Sequence, residues 1–130
     1  MNVPGHSRPI ILCIDDEETA LELRKRVLET AGCTVLTATN AHEALEIFRS
    51  NHVDLVLTEH VHPTLGGGPL VKAMKALKPD VPIGIYSADR AVFPEDIPFA
   101  DLFITKLVSV DELLRTVEEL LTNRPGSAAA

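Results

Sequence analysis

Residues 10–18 read IILCIDDEE, a run of five apolar residues that ends at four consecutive acids. An unbroken apolar run of this length is typical of a β-strand that is buried on both faces, as strands are in a parallel sheet. In open parallel sheets, functional side chains gather where the strands end. The stretch therefore predicts a parallel α/β sheet with acidic residues at its carboxyl edge.

The alternation of strand and helix continues along the chain to residue 121. Five strands alternating with about five helices favour an open parallel sheet with right-handed crossovers. The four further strands are predicted at 34–39, 53–58, 81–87 and 101–105.

Local signals predict where three of the helices begin. Asn40 with Glu43, and Ser109 with Glu112, have the spacing of capping boxes. Pro69 is expected to open the third helix after a loop, because proline suits the first helical position.

The first helix is predicted over 19–31, with Gly32 placed to end it. Apolar residues at helical spacing indicate which side of this helix faces the sheet. They are Ala20, Leu23, Val27 and Ala31.

Composition excludes several classes of protein. The chain has 130 residues, 45% of them hydrophobic, which is enough for one domain with a substantial core. That domain is predicted over 9–122, between flexible ends at 1–8 and 123–130. A net charge of −7 argues against nucleic acid and against an anionic membrane as partners. Cys13 and Cys33 match no zinc-site or redox spacing, so we expect two reduced thiols in a cytoplasmic protein.

Polar residues stand at the ends of four predicted strands. Taken singly, each one suits a helix cap or a solvated strand end. Three carboxylates that meet at one edge of a sheet would repel each other, so they need a cation, which Mg²⁺ or a lysine can supply. The residues are Asp15 and Asp16, Glu59, Ser87 and Lys106.

This pattern resembles the receiver domain of response regulators in two-component signalling, and the resemblance covers roughly Pro9 to Leu121. It implies a flavodoxin-like (βα)5 three-layer sandwich with a five-stranded parallel sheet in the order 2-1-3-4-5. The motifs that carry it are Ile14 to Glu17, Asp54 to Thr58 leading into position 59, Pro63 four residues later, Ser87 with Ala88, and Lys106.

In that family, the acidic pair and an Asp that ends the third strand hold Mg²⁺, and that Asp accepts a phosphoryl group from a kinase histidine. The partner implied is therefore a histidine kinase or a downstream effector protein. The resemblance assigns Asp15 and Asp16 to the metal pair, the carbonyl of Val61 to a further ligand, Ser87 and Lys106 to the phosphoryl oxygens, and Phe103 to a switch aromatic.

The acceptor position holds Glu59 instead of Asp. The extra methylene displaces the carboxylate by about 1.5 Å, and a misplacement of about 1 Å can cost about a hundredfold in rate. We therefore expect a stand-alone receiver that works by protein contacts, is not an enzyme and is not phosphorylated, whether it is phosphomimetic or inert. Glu59 could pair with Lys106 directly. Because Mg²⁺ tolerates distorted geometry poorly, we expect weak Mg²⁺ binding or none.

Two further departures concern the segments after the fourth and fifth strands. Leu107 follows Lys106 where the family usually has a proline, so a trans peptide bond is expected there. Pro94 and Pro98 lie where the family has its fourth helix, which we therefore predict to be shortened or irregular.

Two alternatives stay open on the sequence alone. The first is a working Mg²⁺-dependent phosphoacceptor that uses Glu59. The second and weaker one is a transition-metal site formed by Glu59, His60 and His62, since two imidazoles alternate along an extended segment. A homodimer is compatible with either alternative.

Overall fold

The computed structural model describes residues 8–59, 67–87, 100–105 and 109–122. Strands and helices alternate through these ranges, as the sequence predicts. In chain order they are β1 (Ile10–Ile14), α1 (Glu18–Thr30), β2 (Thr34–Ala38), α2 (Ala41–Ser50), β3 (Leu55–Glu59), α3 (Gly67–Leu77), β4 (Ile83–Ser87), β5 (Leu102–Thr105) and α4 (Val110–Thr122).

The five strands form one parallel sheet in the order β2-β1-β3-β4-β5. This order confirms the predicted flavodoxin-like α/β fold. Ile14 of β1 lies opposite Thr58 of β3, so Asp15 and Glu59 follow on neighbouring strands at the same edge. The register therefore places the acidic residues of two strands side by side.

Helices cover both faces of the sheet, which explains why β1 is apolar without interruption. On one face, Leu12 and Ile14 of β1 share a core with Phe48 of α2 and with α3. On the other face, Ile11 and Cys13 share a core with α1 and α4. Within the ranges that the structure describes, no helix is long and apolar enough to cross a membrane.

The predicted cap of α2 is present, with one difference in its partner. The Asn40 side chain accepts a hydrogen bond of 2.8 Å from the backbone N–H of Glu43. The Glu43 carboxylate reaches back to the N–H of Thr39, also at 2.8 Å, rather than to that of Asn40. At the start of α4, Ser109 accepts from the N–H of Glu112 at 3.2 Å. Both predicted helix starts are therefore confirmed.

Gly32 ends α1 as predicted, because it adopts a φ of 100° that other residues rarely reach. Its N–H donates to the carbonyl of Glu29, and the N–H of Cys33 donates to that of Leu28. These two bonds make a Schellman motif, which satisfies carbonyls that would otherwise lack partners at the helix end.

Several predicted boundaries differ from the structure by one or two residues, and two of them lie near the carboxyl end of β3. Helix α3 begins at Gly67, two residues before Pro69, which was expected to open it. A proline is tolerated within the first turn because the N–H groups there have no partner inside the helix. Strand β3 reaches Glu59, one residue beyond its predicted end, so Glu59 belongs to the sheet itself.

The predicted inward face of α1 is wrong at Leu23, whereas Val27 packs against the core as predicted. Leu23 is 65% exposed, whereas Leu21, Arg24 and Leu28 are the buried residues of this helix. The prediction considered only apolar residues and so left out Arg24, which lies on the buried side of the helix with Leu21 and Leu28.

Both cysteines are buried free thiols. Burial raises the pKa of Cys13 to about 12 and also raises the pKa of Cys33. Both groups therefore stay protonated in the folded protein well above neutral pH, and the thiolate is the reactive form.

We expect neither thiol of the folded protein to react with Ellman's reagent at pH 8. Both should react once urea unfolds the chain, because an unfolded thiol titrates near 9.0 and is open to the reagent. Absorbance of the released thionitrobenzoate measures the reaction. A folded-state rate near that of free glutathione would contradict the burial of these residues.

Candidate functional site

Three carboxylates meet at the carboxyl edge of the sheet. Asp15 and Asp16 follow β1, and Glu59 ends β3 on the neighbouring strand. One oxygen from each side chain lies within 4.8 Å of the other two. This proximity follows from the strand register, which brings the two strand ends to one place.

The three side chains differ in their access to water. Asp15 is fully buried, Glu59 is half-buried with its Oε2 atom shielded from solvent, and Asp16 is exposed. Asp15 therefore forms the floor of this site, and Asp16 is its solvent-exposed member.

Asp15 is held by contacts from its own chain. Its Oδ1 accepts a hydrogen bond of 3.0 Å from the backbone N–H of Glu17. Its Oδ2 lies 3.4 Å from Nη1 of Arg24, which is 8% exposed. Both oxygens of this carboxylate are thus engaged, one by the loop before α1 and one by the buried side of α1.

Sequence reasoning missed Arg24. The signal was present, because Arg24 lies three residues after Leu21 and four before Leu28, at the spacing of one helix face. An arginine at such a position needs a buried acid as its partner. Asp15, which directly follows a buried strand, is that partner in the structure.

The donor set suits a hard divalent cation such as Mg²⁺, which binds oxygen ligands at about 2.0–2.1 Å. Opposite ligands in an octahedron are then about 4.2 Å apart, a little less than the 4.8 Å that encloses the three carboxylate oxygens. Only one pair among three ligands can be opposite, and adjacent ligands are about 2.9 Å apart, so Asp15, Asp16 and Glu59 would have to draw closer together to hold the ion. When bound, Mg²⁺ would neutralise charge on an incoming phosphoryl group.

The structure describes two of the remaining predicted site residues, Ser87 and Phe103, at the level of their strands. Ser87 is the last residue of β4, and Glu59 pairs with the residue before it, Tyr86. Phe103 lies in β5 opposite Ile85. Outside the described residues are Val61, Lys106, Leu107, His60, His62, Pro94 and Pro98.

Comparison with known proteins agrees with this architecture. The family model of the response regulator receiver domain matches residues 11–118. The transcriptional regulatory protein PrrA of Mycobacterium tuberculosis is 30% identical over 129 residues, which cover 97% of this chain and 55% of PrrA. The autoinducer 1 sensor kinase/phosphatase LuxN of Vibrio campbellii is 35% identical over 85 residues, which cover 65% of this chain and 10% of LuxN.

Solved structures show the same fold. The response regulator protein TrrA of Thermotoga maritima, solved in complex with Mg²⁺ and BeF, has a TM-score of 0.81 and 32% identity, covering 87% of this chain and 99% of that one. A CheY-like receiver domain from Methanospirillum hungatei has a TM-score of 0.80 and 28% identity, covering 88% and 94%. The predicted resemblance is thereby confirmed, and the chain belongs to the family of response regulator receiver domains of two-component signalling.

Proposed function

We propose that this receiver domain signals through protein–protein contacts without being phosphorylated at position 59. The observation that supports the proposal is the grouping of the Glu59 carboxylate with Asp15 and Asp16 within 4.8 Å. A Glu at this strand end carries its carboxylate about one carbon–carbon bond, about 1.5 Å, beyond the reach of an Asp. The side chain thus extends into the space that a phosphoryl group and its cation would need.

A permanent carboxylate can imitate a phosphoryl group only in part. Glu59 brings one negative charge and two oxygens, whereas a phosphoryl group brings nearly two charges and three oxygens. In this proposal Ser87 and Lys106 are the former phosphoryl-binding residues, Lys106 is the cation for Glu59, and Phe103 is the aromatic that responds to them.

We propose that Mg²⁺ binding is weak or absent at this site. The carboxylates have the right chemistry for Mg²⁺, but Asp15 already has both oxygens engaged by Glu17 and Arg24. The positive charge of Arg24 offsets part of the attraction that Asp15 exerts on a cation, and Mg²⁺ also demands near-octahedral geometry.

The partner in this proposal is a protein, either a histidine kinase or a downstream effector. LuxN is named a sensor kinase/phosphatase and PrrA a transcriptional regulator, and both are longer than this chain, which spans 10% of LuxN and 55% of PrrA. The activity and partners of the whole protein are therefore part of the proposal. We also propose a domain over 9–122 with flexible ends, a homodimer and a cytoplasmic location.

Intact mass spectrometry tests the proposal directly. The protein is incubated with acetyl phosphate or phosphoramidate in the presence of Mg²⁺, and we expect no adduct of about 80 Da. A typical receiver domain with Asp at the acceptor position, treated in parallel, shows that the phosphodonor is active. A stoichiometric adduct that maps to Glu59 would overturn the proposal.

A second candidate function is a working phosphoacceptor, which the retained acidic group favours. In that reaction a Glu59 oxygen forms a bond to phosphorus, the bond from phosphorus to the acetyl oxygen breaks, and acetate leaves. The mass experiment separates this candidate from the first. The weaker transition-metal alternative, through Glu59, His60 and His62, would fall if calorimetry finds no Zn²⁺ or Ni²⁺ binding tighter than about 10 μM.

A further inference from the structure

The ion pair between Arg24 and Asp15 is unusual because it is buried. Arg24 is 8% exposed and Asp15 is fully buried, so both charges have left water almost completely. Their neighbours along the buried side of α1 are Leu21 and Leu28. An aliphatic side chain at position 24 would continue that apolar side without any charge to bury.

Stability alone is a poor reason for such a pair. Taking two charges out of water costs free energy that their attraction often fails to recover, and apolar replacements of buried pairs are frequently neutral or stabilising. The acidic site offers a better reason. Asp15 is one of three carboxylates whose oxygens lie within 4.8 Å of one another, and their mutual repulsion calls for a positive charge.

We propose that Arg24 is a positioning residue that supplies this charge from within the fold: it holds Asp15 in place without metal and lowers the affinity of the site for divalent cations. One guanidinium offsets one of the three carboxylates. It also occupies Oδ2 of Asp15, while the Glu17 N–H occupies Oδ1. A divalent cation that enters past Asp16 therefore meets a reduced negative charge and a floor residue that is already bound.

Arg24 and a divalent cation can each offset part of the repulsion among the three carboxylates. With Arg24 present, the acidic group is stable in the absence of metal. Without Arg24, Asp15 keeps its full negative charge, so the three carboxylates should bind Mg²⁺ more tightly. This inference gives a cause for the weak Mg²⁺ binding proposed above, and it does not depend on whether Glu59 accepts a phosphoryl group.

Four variants test the role of the charge at position 24. Arg24→Met and Arg24→Gln remove it, Arg24→Lys keeps it, and Arg26→Met removes an exposed arginine of the same helix, which pairs with Glu22 at the surface. Titration calorimetry with Mg²⁺ at 0.15 M NaCl measures the dissociation constant. Removal of one buried charge beside the site should tighten Mg²⁺ binding about tenfold.

We expect this tightening in Arg24→Met and Arg24→Gln, with values within about twofold of wild type in Arg24→Lys and Arg26→Met. Thermal unfolding gives a second measurement that does not depend on activity. The two uncharged variants should be less stable than wild type in EDTA, and Mg²⁺ should raise their Tm more than that of wild type, because tighter binding to the folded state stabilises it more.

Three results would overturn the inference. Unchanged Mg²⁺ affinity in the uncharged variants would make the pair purely structural, and weaker affinity would mean that Arg24 orients Asp15 as a ligand. Failure of both variants to fold even in 10 mM Mg²⁺ would show that the metal cannot replace Arg24. The ratio of the Mg²⁺ dissociation constants of wild type and the variants tests the role of Arg24. The wild-type constant tests the weak-binding proposal, which a value below about 0.1 mM would contradict.

Discussion

Replacing Glu59 by Asp is expected to create a phosphoacceptor that gains close to one adduct of about 80 Da per chain from acetyl phosphate and Mg²⁺. The substitution withdraws the carboxylate by about 1.5 Å, the length of one carbon–carbon bond. It leaves Asp15 and Asp16 in place beside it. Because a displacement of about 1 Å can change a rate about a hundredfold, we expect modification at least about a hundredfold faster than in wild type.

The chemistry of the gained step is a simple substitution at phosphorus. A carboxylate oxygen of the new side chain forms the bond to phosphorus, the bond to the acetyl oxygen breaks, and acetate departs. The mixed anhydride that results is labile to hydroxylamine, so the adduct should disappear on treatment with it. Intact mass before and after hydroxylamine measures both events.

Two controls separate the position of the carboxylate from other effects. Glu59→Gln keeps the length of the side chain and removes its charge, so it should stay unmodified. Glu59→Asp combined with Asp16→Asn removes the exposed carboxylate of the site and should lower the Mg²⁺-dependent rate. If Glu59→Asp folds and binds Mg²⁺ yet stays unmodified, the residue at position 59 is not what prevents phosphorylation.

Replacing Leu28 by Ala is expected to lower the free energy of unfolding by about 2–5 kcal/mol. Leu28 is fully buried on α1, in the core that α1 and α4 share with β1 and β3. Truncation there loses the transfer free energy of the side chain and leaves a cavity that close-packed neighbours fill only in part. Since the chain has no tryptophan, urea unfolding is best followed by circular dichroism.

The matched control is Leu23→Ala, the same substitution on the same helix. Leu23 is 65% exposed, so its replacement should change the free energy of unfolding by no more than about 0.5 kcal/mol. The comparison tests the rotation of α1 that places Arg24 inward. Equal losses in the two variants would mean that Leu23 is buried and that the orientation of the helix is different.

Most of the fold could be predicted from the sequence because its signals are local. The apolar run at 10–14 matches β1 residue for residue, and the caps at Asn40 and Ser109 appear where their spacing indicates. Gly32 ends α1 because glycine adopts a positive φ without steric cost, which is a property of the residue and not of this fold. The error at Leu23 arose because packing against the sheet, and not apolar spacing alone, decides which side of α1 is buried.

The three carboxylates of the acidic site could be predicted from the sequence, but the arginine that holds Asp15 in place could not. Asp15, Asp16 and Glu59 can be named from strand ends, since parallel strands bring their carboxyl ends to one edge. Arg24 could not be named in this way. Its spacing from Leu21 and Leu28 indicates a buried position, but only the fold shows that Asp15 is its partner.

The unbroken apolar stretch and the acids after it were thus sufficient to predict a parallel sheet with an acidic edge. Periodicity and composition act over a few residues, so they can be read without the fold. Which side of α1 is buried, and that a charge from that side reaches Asp15 at 3.4 Å, depends on how the helix rotates against the sheet. That rotation depends on the packing of the whole core and on the pairing of its buried charges. These interactions join residues that are far apart along the chain, so no short segment of sequence reveals them.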